Sequence, residues 1–237
     1  MTATTAIILA GGFGTRLRSV VAHLPKPMAP VRGKPFLDYI LNSLARQGIK
    51  KAILSTGHLS AIVSAHYGGN FGGLDLSYSV ETEPLGTGGA VKKALLSCND
   101  SPVLVLNGDS LFAIDLADFF SRHEAQKADC SIALRQVENS ARYGRIEIDG
   151  DNTILSFSEK SAHSEKGLIN GGIYLVNREA FLANIPATQA FSIEKDFFAK
   201  MVNKLRLKGF LFDDYFIDIG VPADYETAQH EFERFEN

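Results

Sequence analysis

The sequence lacks the features that mark several large classes of protein. Its two cysteines, Cys98 and Cys130, have neither metal-ligand spacing nor the numbers of a disulfide framework. No apolar run approaches the roughly 18 residues that a membrane-spanning helix needs. The first residues carry no positively charged segment of the kind that begins a signal peptide. We therefore expect free thiols in a reducing compartment, a cytoplasmic location and no membrane partner.

An excess of positive charge is also missing. Lys and Arg number 24 against 27 Asp and Glu, a formal net charge of -3, and no basic cluster stands out. A protein that binds nucleic acid usually carries a basic patch, so no nucleic-acid partner is expected. The composition, 45% hydrophobic and 22% charged, is that of an ordinary globular protein.

Short apolar runs alternate with amphipathic segments over the first half of the chain. The pattern predicts strands at 6–10, 51–55, 74–80 and 103–106 and helices at 36–47, 60–66, 89–96 and 115–126. This alternation, with strands that are apolar throughout, predicts a parallel sheet covered on both faces.

In the second half of the chain, the pattern of predicted strands and helices changes. It predicts strands at 130–137, 145–149, 153–158 and 168–176, a turn at 150–152, and helices at 193–203 and 222–235. No stretch resembles a linker or a repeat. We expect a single domain over residues 1–237, with a Rossmann-like α/β fold: a mixed, mostly parallel central sheet flanked by helices. The second half is expected to add its strands over the carboxyl edge of the sheet, where ligands bind in such folds.

A glycine-rich loop follows the first predicted strand. Gly11, Gly12 and Gly14 permit close approach of backbone amides to a polyanion. Arg16 adds a guanidinium suited to phosphate oxygens, and Lys26 lies just beyond, between two prolines. The pattern is neither a Walker loop nor a dinucleotide motif. A tight turn that requires glycine, with two solvated cations beside it, is the alternative.

Two acidic residues stand at the ends of apolar segments. Asp109 follows the strand predicted at 103–106, and Asp218 interrupts the apolar run at 216–220. Mg²⁺ bound by one or two carboxylates commonly neutralises reacting phosphates. Taken singly, Asp109 is also a typical turn residue and Asp218 a typical member of a buried ion pair.

Motifs along the whole chain resemble those of the sugar-phosphate nucleotidyltransferases. They are LAGGFGTRL, LPKPMAPV, EPLGTGGA, LNGD, YGRI, FSEK, INGGIYL, SIEKDFF and FIDIGVPADY. The resemblance implies the nucleotide-diphospho-sugar transferase fold and an enzyme that joins a nucleotide to a sugar 1-phosphate and releases pyrophosphate. Members often form dimers or tetramers, so a homo-oligomer is a further expectation.

The resemblance also assigns roles to residues. Residues 1–128 would bind mainly the nucleotide and residues 129–237 mainly the sugar phosphate. Asp109 and Asp218 would bind Mg²⁺. The catalytic cations would be Arg16, Lys26 and Lys160. The nucleotide-binding residues would be Leu9, Ala10, Gly11, Gly12, Gly14, Thr15, Glu81, Pro84, Gly86, Thr87 and Gly88. The sugar-phosphate-binding residues would be Asn107, Gly108, Tyr143, Gly144, Glu159, Asn170 and Gly171. Without the resemblance, Glu159 and Lys160 are typical of a solvated strand end.

Glu81 bears on the choice of nucleotide. Many uridylyl and thymidylyl members of the family have a glutamine near this position. An ionised carboxylate only accepts hydrogen bonds, and guanine offers two adjacent N–H donors, so Glu81 favours GTP. The alternative is that Glu81 and Glu83 are exposed and inert.

The identity of the sugar depends on finer features of the resemblance. Residues 18–23 replace a Pro-x-Thr that many members carry, and the chain is most similar to guanylyltransferases that act on D-glycero-α-D-manno-heptose 1-phosphate. The products would be a GDP-sugar, used for cell-surface polysaccharide, and pyrophosphate. Mannose 1-phosphate or glucose 1-phosphate with another nucleoside triphosphate is the alternative within the family.

Two other classes of protein compete with this interpretation. A glycosyltransferase often binds its metal through Asp-x-Asp, which Asp149 and Asp151 match, although Asp and Gly at 149–151 are also typical of a hairpin turn. A regulatory module that binds a nucleotide sugar without chemistry is the second competitor. The argument against it is that the chain retains the whole set of candidate cations and carboxylates together: Arg16, Lys26, Asp109, Lys160 and Asp218.

Overall fold

The computed structural model describes residues 5–12, 17, 21, 23–140, 143–158 and 166–235. The strands are β1 Thr5–Leu9, β2 Pro30–Val31, β3 Lys34–Pro35, β4 Lys51–Thr56, β5 Asn70–Phe71, β6 Leu74–Val80, β7 Val103–Asn107, β8 Ser110–Phe112, β9 Cys130–Val137, β10 Arg145–Ile148, β11 Ile154–Ser158, β12 Gly167–Val176, β13 Leu207–Leu211 and β14 Phe216–Asp218. The helices are α1 Phe36–Arg46, α2 Ser60–Tyr67, α3 Gly86–Leu95, α4 Leu116–Ala125, α5 Arg178–Asn184, α6 Ala199–Met201 and α7 Pro222–Glu231. Lys26–Met28 and Phe232–Phe235 form 3-10 helices, and Ile193–Phe198 forms a π-helix.

The centre of the sheet is parallel, as predicted. The strand order is β11-β10-β12-β7-β1-β4-β6-β5, with β9 beside β12 and β13 beside β9. Strands β7, β1, β4 and β6 run parallel, and Leu9 is in register with both Ser55 and Asn107. Because the chain moves from β1 to β4 on one side and reaches β7 on the other, β1 lies at a topological switch point, where α/β sheets bind ligands.

Alternate residues of the central strands pack into two cores, one on each face of the sheet. Ile8 and Leu54 belong to the cluster that α1, α2, α4 and α7 complete. Ile7 and Ile53 belong to the cluster on the other face, which includes Val91 of α3 and Phe181 of α5. Strands buried on both faces must be apolar throughout, which is why the sequence predicted them well.

The second half of the chain joins the sheet differently from the prediction. Its predicted strands extend the sheet itself, and the short β14 pairs outside that sheet, with β8. Strand β12 pairs antiparallel with β7, and β9, β10, β11 and β13 extend the same sheet sideways from β12. Strand β12 bends at Gly172, whose φ of 75° coincides with a shift in register against β9. A strand extending an existing sheet needs the same apolar pattern as one stacked over it, so the pattern did not distinguish the two arrangements.

Several boundaries also differ. Helix α3 begins at Gly86, three residues before the prediction, because its three glycines have low helix propensity and concealed its start. The helix predicted at 193–203 is a π-helix followed by α6, which ends at Met201, and α7 gives way to a 3-10 turn at Phe232. The elements that the sequence did not predict are short or broken by polar residues: β2, β3, β5, β8, α5, β13 and β14. Within the described ranges, no helix combines the length and apolarity needed to cross a membrane.

Candidate active site

The candidate site lies along the carboxyl ends of the parallel strands. A cleft of about 540 Å³ opens there. It is lined by Leu9, Gly11, Gly12, Gly57, His58, Glu81, Thr82, Glu83, Pro84, Gly86, Thr87, Ala90, Asn107, Asp109 and Glu194. Each of the four strand ends contributes, because parallel strands in register finish at one edge of the sheet.

A short strand pair brings the two predicted metal ligands together. Strands β8 and β14 pair antiparallel, and Asp218 stands opposite Ser110. The Ile219 amide donates to the Asp109 carbonyl at 3.0 Å. Asp109 and Asp218 are 109 residues apart in sequence, so only this pairing makes them neighbours.

Lys26 contacts both carboxylates. Its Nζ lies 2.5 Å from Asp109 Oδ2 and 3.8 Å from Asp218 Oδ1. The Lys26 side chain is only 11% exposed. The Gly220 amide donates to Asp218 Oδ1 at 2.7 Å. One partly buried cation is therefore shared between two carboxylates.

The electrostatic balance of this cluster favours a further cation. Burial raises the pKa of the Asp218 carboxyl above its ordinary value, and the neighbouring Asp109 carboxylate raises it further. The Lys26 ammonium and the Gly220 amide oppose this shift without cancelling it. A divalent cation relieves the repulsion between two such carboxylates, and oxygen donors are the ligands that Mg²⁺ prefers. A pair of carboxylates suits Mg²⁺, which usually keeps water and substrate phosphates in its shell.

Gly108 fixes the position of Asp109. Its amide donates to the Leu9 carbonyl at 3.0 Å. A Cβ at Gly108 would lie 2.6 Å from that carbonyl oxygen and 3.3 Å from the Pro27 ring. Any side chain here would push the ends of β1 and β7 apart, so glycine at this position is needed for the shape of the site. Its contact with the sugar phosphate stays a prediction.

Glu81 faces the cleft with one oxygen already in use. Its Oε2 accepts the Leu85 amide at 2.9 Å, and its own amide donates to the Thr56 carbonyl at 2.7 Å. Its Oε1 lies over Gly11, where a Cβ would come within 2.8 Å of it. The carboxylate is therefore held against the glycine loop with Oε1 at the cleft.

The start of α3 is joined to the segment before the π-helix. The Gly88 amide donates to the Phe191 carbonyl at 2.9 Å, and the Phe191 amide donates to the Leu85 carbonyl at the same distance. A Cβ at Gly86 would lie 2.6 Å from the Phe191 carbonyl oxygen. Gly86 and Thr87 line the cleft, whereas the Gly88 amide already has a protein partner.

Residues predicted to meet the sugar are centred on a buried tyrosine. The side chains of Asn107 and Asn170 hydrogen-bond the Tyr174 hydroxyl, with Asn170 Nδ2 at 2.7 Å. Asn170 Oδ1 accepts the Gly172 amide at 2.8 Å, so Asn170 is largely satisfied within the protein. Gly171 lies under the Phe112 ring, where a side chain would overlap it.

The remaining predictions fall in three groups. The Tyr143 ring lies 6.0 Å, centroid to centroid, from Phe216 of β14, and Gly144 has a φ of 78°. Ala10 is buried and donates its amide to Ser55. Gly14, Thr15, Arg16, Glu159 and Lys160 lie outside the described residues, so their roles stay predictions.

The cleft also contains residues that sequence reasoning did not assign. Gly57 and His58 follow β4, and Glu194 begins the π-helix. The segment 192–198 was matched to the family motif without a role for any single residue. A carboxylate in a first helical turn is ordinary, so nothing local marked Glu194 as functional.

Asp149 and Asp151, the glycosyltransferase-like pair, form the β10–β11 hairpin turn. Asp149 Oδ1 accepts the amides of Asp151 and Thr153 at 2.9 and 2.8 Å. This hydrogen bonding confirms the hairpin interpretation of the pair.

Comparisons with known proteins identify the family of this chain and its relatives. Residues 5–234 match the family described as nucleotidyl transferase. The chain belongs to the nucleotidyl transferase family. It is 46% identical to the D-glycero-alpha-D-manno-heptose 1-phosphate guanylyltransferase of Aneurinibacillus thermoaerophilus, over 97% of this chain and 99% of that protein. It is 43% identical to the enzyme of the same name from Campylobacter jejuni, over 93% of this chain and 96% of that protein.

A solved structure of the family has the same fold. The crystal structure of HddC from Yersinia pseudotuberculosis complexed with GMP-PN has a TM-score of 0.85 and 35% sequence identity. The likeness covers 97% of this chain and 99% of that one. The predicted fold class, a mixed and mostly parallel sheet flanked by helices, is confirmed.

Proposed function

We propose that the protein transfers GMP from GTP to D-glycero-α-D-manno-heptose 1-phosphate, forming a GDP-sugar and pyrophosphate. The observation that carries the proposal is the pair of carboxylates, Asp109 and Asp218, held around Lys26 at the edge of a cleft whose other wall holds Glu81. The high identity to two guanylyltransferases, across almost their whole lengths, supports the nucleotide and the acceptor.

The reaction is a single displacement at phosphorus. An oxygen of the sugar 1-phosphate attacks the α-phosphorus of GTP, a new P–O bond forms, and the bond to the β-phosphate oxygen breaks. The attacking oxygen is already anionic, so no general base is required. The chain's contribution is positioning and neutralisation of charge, which together supply most of the acceleration in such transfers.

Lys26 is the cation that the described residues place beside Asp109 and Asp218. Its ammonium neutralises charge at the Asp109 end of the cleft, and Arg16 and Lys160 are proposed to do the same from the glycine loop and from the sugar side. Asp109 and Asp218 would hold Mg²⁺. When bound, this ion would neutralise charge on the triphosphate and hold it against the acceptor.

Glu81 is proposed to read the guanine. Its Oε1 lies at the cleft while Oε2 is fixed by Leu85, so the carboxylate has a defined direction. A fixed acceptor pairs with the N–H donors of guanine and repels the carbonyl oxygens of uracil and thymine.

We propose, as the motifs predict, that residues 1–128 bind mainly the nucleotide and residues 129–237 bind mainly the sugar phosphate.

The buried free thiols of Cys98 and Cys130 fit a reducing, cytoplasmic setting. A homo-oligomer stays a prediction.

The test is a panel of pyrophosphate-release assays with Mg²⁺. Each of the four common nucleoside triphosphates is offered with the heptose 1-phosphate, mannose 1-phosphate and glucose 1-phosphate. We expect turnover with GTP only, and the highest kcat/KM with the heptose. A preference for mannose 1-phosphate would correct the acceptor, and a preference for UTP or dTTP would overturn the role of Glu81. Binding of GTP without pyrophosphate release for any acceptor would contradict the proposed function.

A further inference from the structure

Glu194 comes from the second half of the chain and lines the cleft at the ends of the parallel strands. It lies in the first turn of the π-helix, one residue after Ile193, and lines the cleft together with Thr87, Asn107 and Asp109. π-Helical turns are uncommon and occur frequently at functional sites.

The hydrogen-bond donors that the structure gives to Glu194 are all neutral hydroxyls. Oε2 accepts from Thr87 Oγ1 at 3.0 Å and from Ser192 Oγ at 2.8 Å. Oε1 accepts from the Tyr174 hydroxyl at a longer 3.3 Å. A carboxylate oxygen can accept two hydrogen bonds, so Oε1 retains capacity on the side of the cleft.

The direction of the Tyr174 hydrogen bond is settled by its surroundings. Tyr174 is fully buried, and burial raises the pKa of its hydroxyl well above the ordinary value, so the proton stays on the oxygen. Asn170 Nδ2 donates to that oxygen at 2.7 Å, and the Asn107 side chain also bonds it. The hydroxyl proton therefore points to Glu194, and Glu194, Asn107 and Asn170 form one polar patch around Tyr174.

We propose that Glu194 is a specificity-determining residue whose Oε1 accepts a hydrogen bond from a hydroxyl of the sugar 1-phosphate. The proposal rests on the proposed function. Sugar hydroxyls are donors, and a carboxylate whose other oxygen is tied to Thr87 and Ser192 offers an acceptor in a fixed place. The ribose of GTP has the same chemistry, so the experiment must separate the two sources.

The experiment compares three proteins: wild type, Glu194→Gln and the control Ser192→Ala. Glutamine keeps an oxygen for Thr87 and Ser192 but replaces the ionic acceptor at the cleft with an amide. We expect the KM for the heptose 1-phosphate to rise about tenfold, with the KM for GTP and kcat almost unchanged. Tm should fall by a few degrees, because the buried Tyr174 hydroxyl loses its acceptor.

Ser192→Ala controls for a purely structural role. It removes one donor to Glu194 and the cap on the Lys195 amide, and Ser192 does not line the cleft. We expect Tm to fall by about 2–4 °C, with the KM for GTP unchanged. The KM for the heptose 1-phosphate should rise less than about twofold, because Thr87 still donates to Oε2 of Glu194. If Ser192→Ala raised the sugar KM as much as Glu194→Gln, Glu194 would act only by holding the π-helix, and the proposal would be wrong.

Sugar 1-phosphates that lack one hydroxyl identify the bond. With wild type, the KM for the deoxy analogue that lacks the partner hydroxyl should exceed the KM for the full sugar. The factor should equal the one by which Glu194→Gln raises the KM for the full sugar. Glu194→Gln should not raise the KM for that analogue any further. A rise in the KM for GTP instead, or no change in either KM while wild type turns over, would overturn the proposal alone. Absence of turnover by wild type would overturn the proposed function, and the assignment of Glu194 with it.

Discussion

The cleft holds carboxylates in two contrasting environments. At one end, Asp109 and Asp218 share the single ammonium of Lys26, and their mutual repulsion contributes to the raised pKa of Asp218. At the other end, Glu194 is held by the neutral hydroxyls of Thr87, Ser192 and Tyr174.

The difference indicates what each end can do. Two close carboxylates with one cation gain from a second cation, so the first end suits charge neutralisation during phosphoryl chemistry. A carboxylate fixed by neutral donors has a set direction and spare acceptor capacity, so the second end suits recognition of hydroxyls. Substitutions at the first end should therefore lower kcat. Substitutions at the second end should raise the KM for the sugar phosphate or lower the free energy of unfolding.

The largest effect is expected at the first end. Asp109→Asn keeps the shape of the side chain and removes the charge that would hold Mg²⁺. We expect kcat to fall by about a thousandfold, which corresponds to about 4 kcal/mol. Steady-state pyrophosphate release measures this. Tm should change little, because loss of the Lys26–Asp109 ion pair offsets the relief of repulsion at Asp218.

Asp218→Asn should behave in the same way, because the two carboxylates act on one ion. Near-normal turnover in both variants would contradict the assignment of the metal ligands.

A structural effect comes next, at the second end. A Cβ at Gly88 would overlap the Phe191 ring, which is 4% exposed and has no room to move. We expect Gly88→Ala to lower the free energy of unfolding by about 2–3 kcal/mol, although alanine is the better helix former by about 1 kcal/mol. Chemical denaturation measures the change.

Gly69→Ala is the matched control, because no atom lies within 4 Å of its added methyl group. Its stability should stay within about 0.5 kcal/mol of wild type. Equal stability of the two variants would mean that segment 189–191 does not depend on close contact with α3.

Glu81 is a fourth carboxylate at the cleft, outside the two ends compared above. Glu81→Gln can still accept the Leu85 amide but presents an amide group to the base. We expect kcat/KM for GTP to fall about thirtyfold, about 2 kcal/mol, and the preference over UTP to shrink. Glu83→Gln, on the same wall of the cleft, should change kcat/KM less than twofold. An unchanged preference for GTP in Glu81→Gln would remove the carboxylate from base recognition.

The smallest effect is expected from Gly220→Ala. Its Cβ would lie 2.8 Å from Asp218 Oδ1 and 3.2 Å from Lys26 Nζ, both of which are ends of movable side chains. We expect about a tenfold fall in kcat with little change in Tm, since a shift of a few tenths of an ångström relieves the contact. Gly150→Ala, with open space around it, should leave both unchanged. Full activity of Gly220→Ala would show that the exact position of Asp218 matters little.

Sequence patterns predicted β1, β4 and β7 to within one residue, because these strands are buried on both faces. Strand β6, whose residues alternate between buried and exposed, and strand β9 match the predicted bounds, and α1 differs by one residue. The start of α3 was missed because Gly86, Gly88 and Gly89 resemble a loop, and only the contact with Phe191 explains why glycine is needed there.

The site was predictable where the resemblance to the family gave a role to a single residue. Asp109, Asp218 and Glu81 were identified, and the structure places them on one cleft or beside it. Glu194 was not identified, because its partners Thr87 and Tyr174 lie 107 and 20 residues away in sequence. A property that depends on such distant partners leaves no local pattern.

The most direct test of the central claim follows the oxygen atoms. The heptose 1-phosphate is prepared with ¹⁸O in its three non-bridging phosphate oxygens and is converted with unlabelled GTP. Attack by the sugar phosphate on the α-phosphorus predicts that the GDP-sugar retains all of the label, with one labelled atom bridging the two phosphorus atoms, and that pyrophosphate has none. Label in pyrophosphate, or in free phosphate released by cleavage at the sugar carbon, would contradict the account.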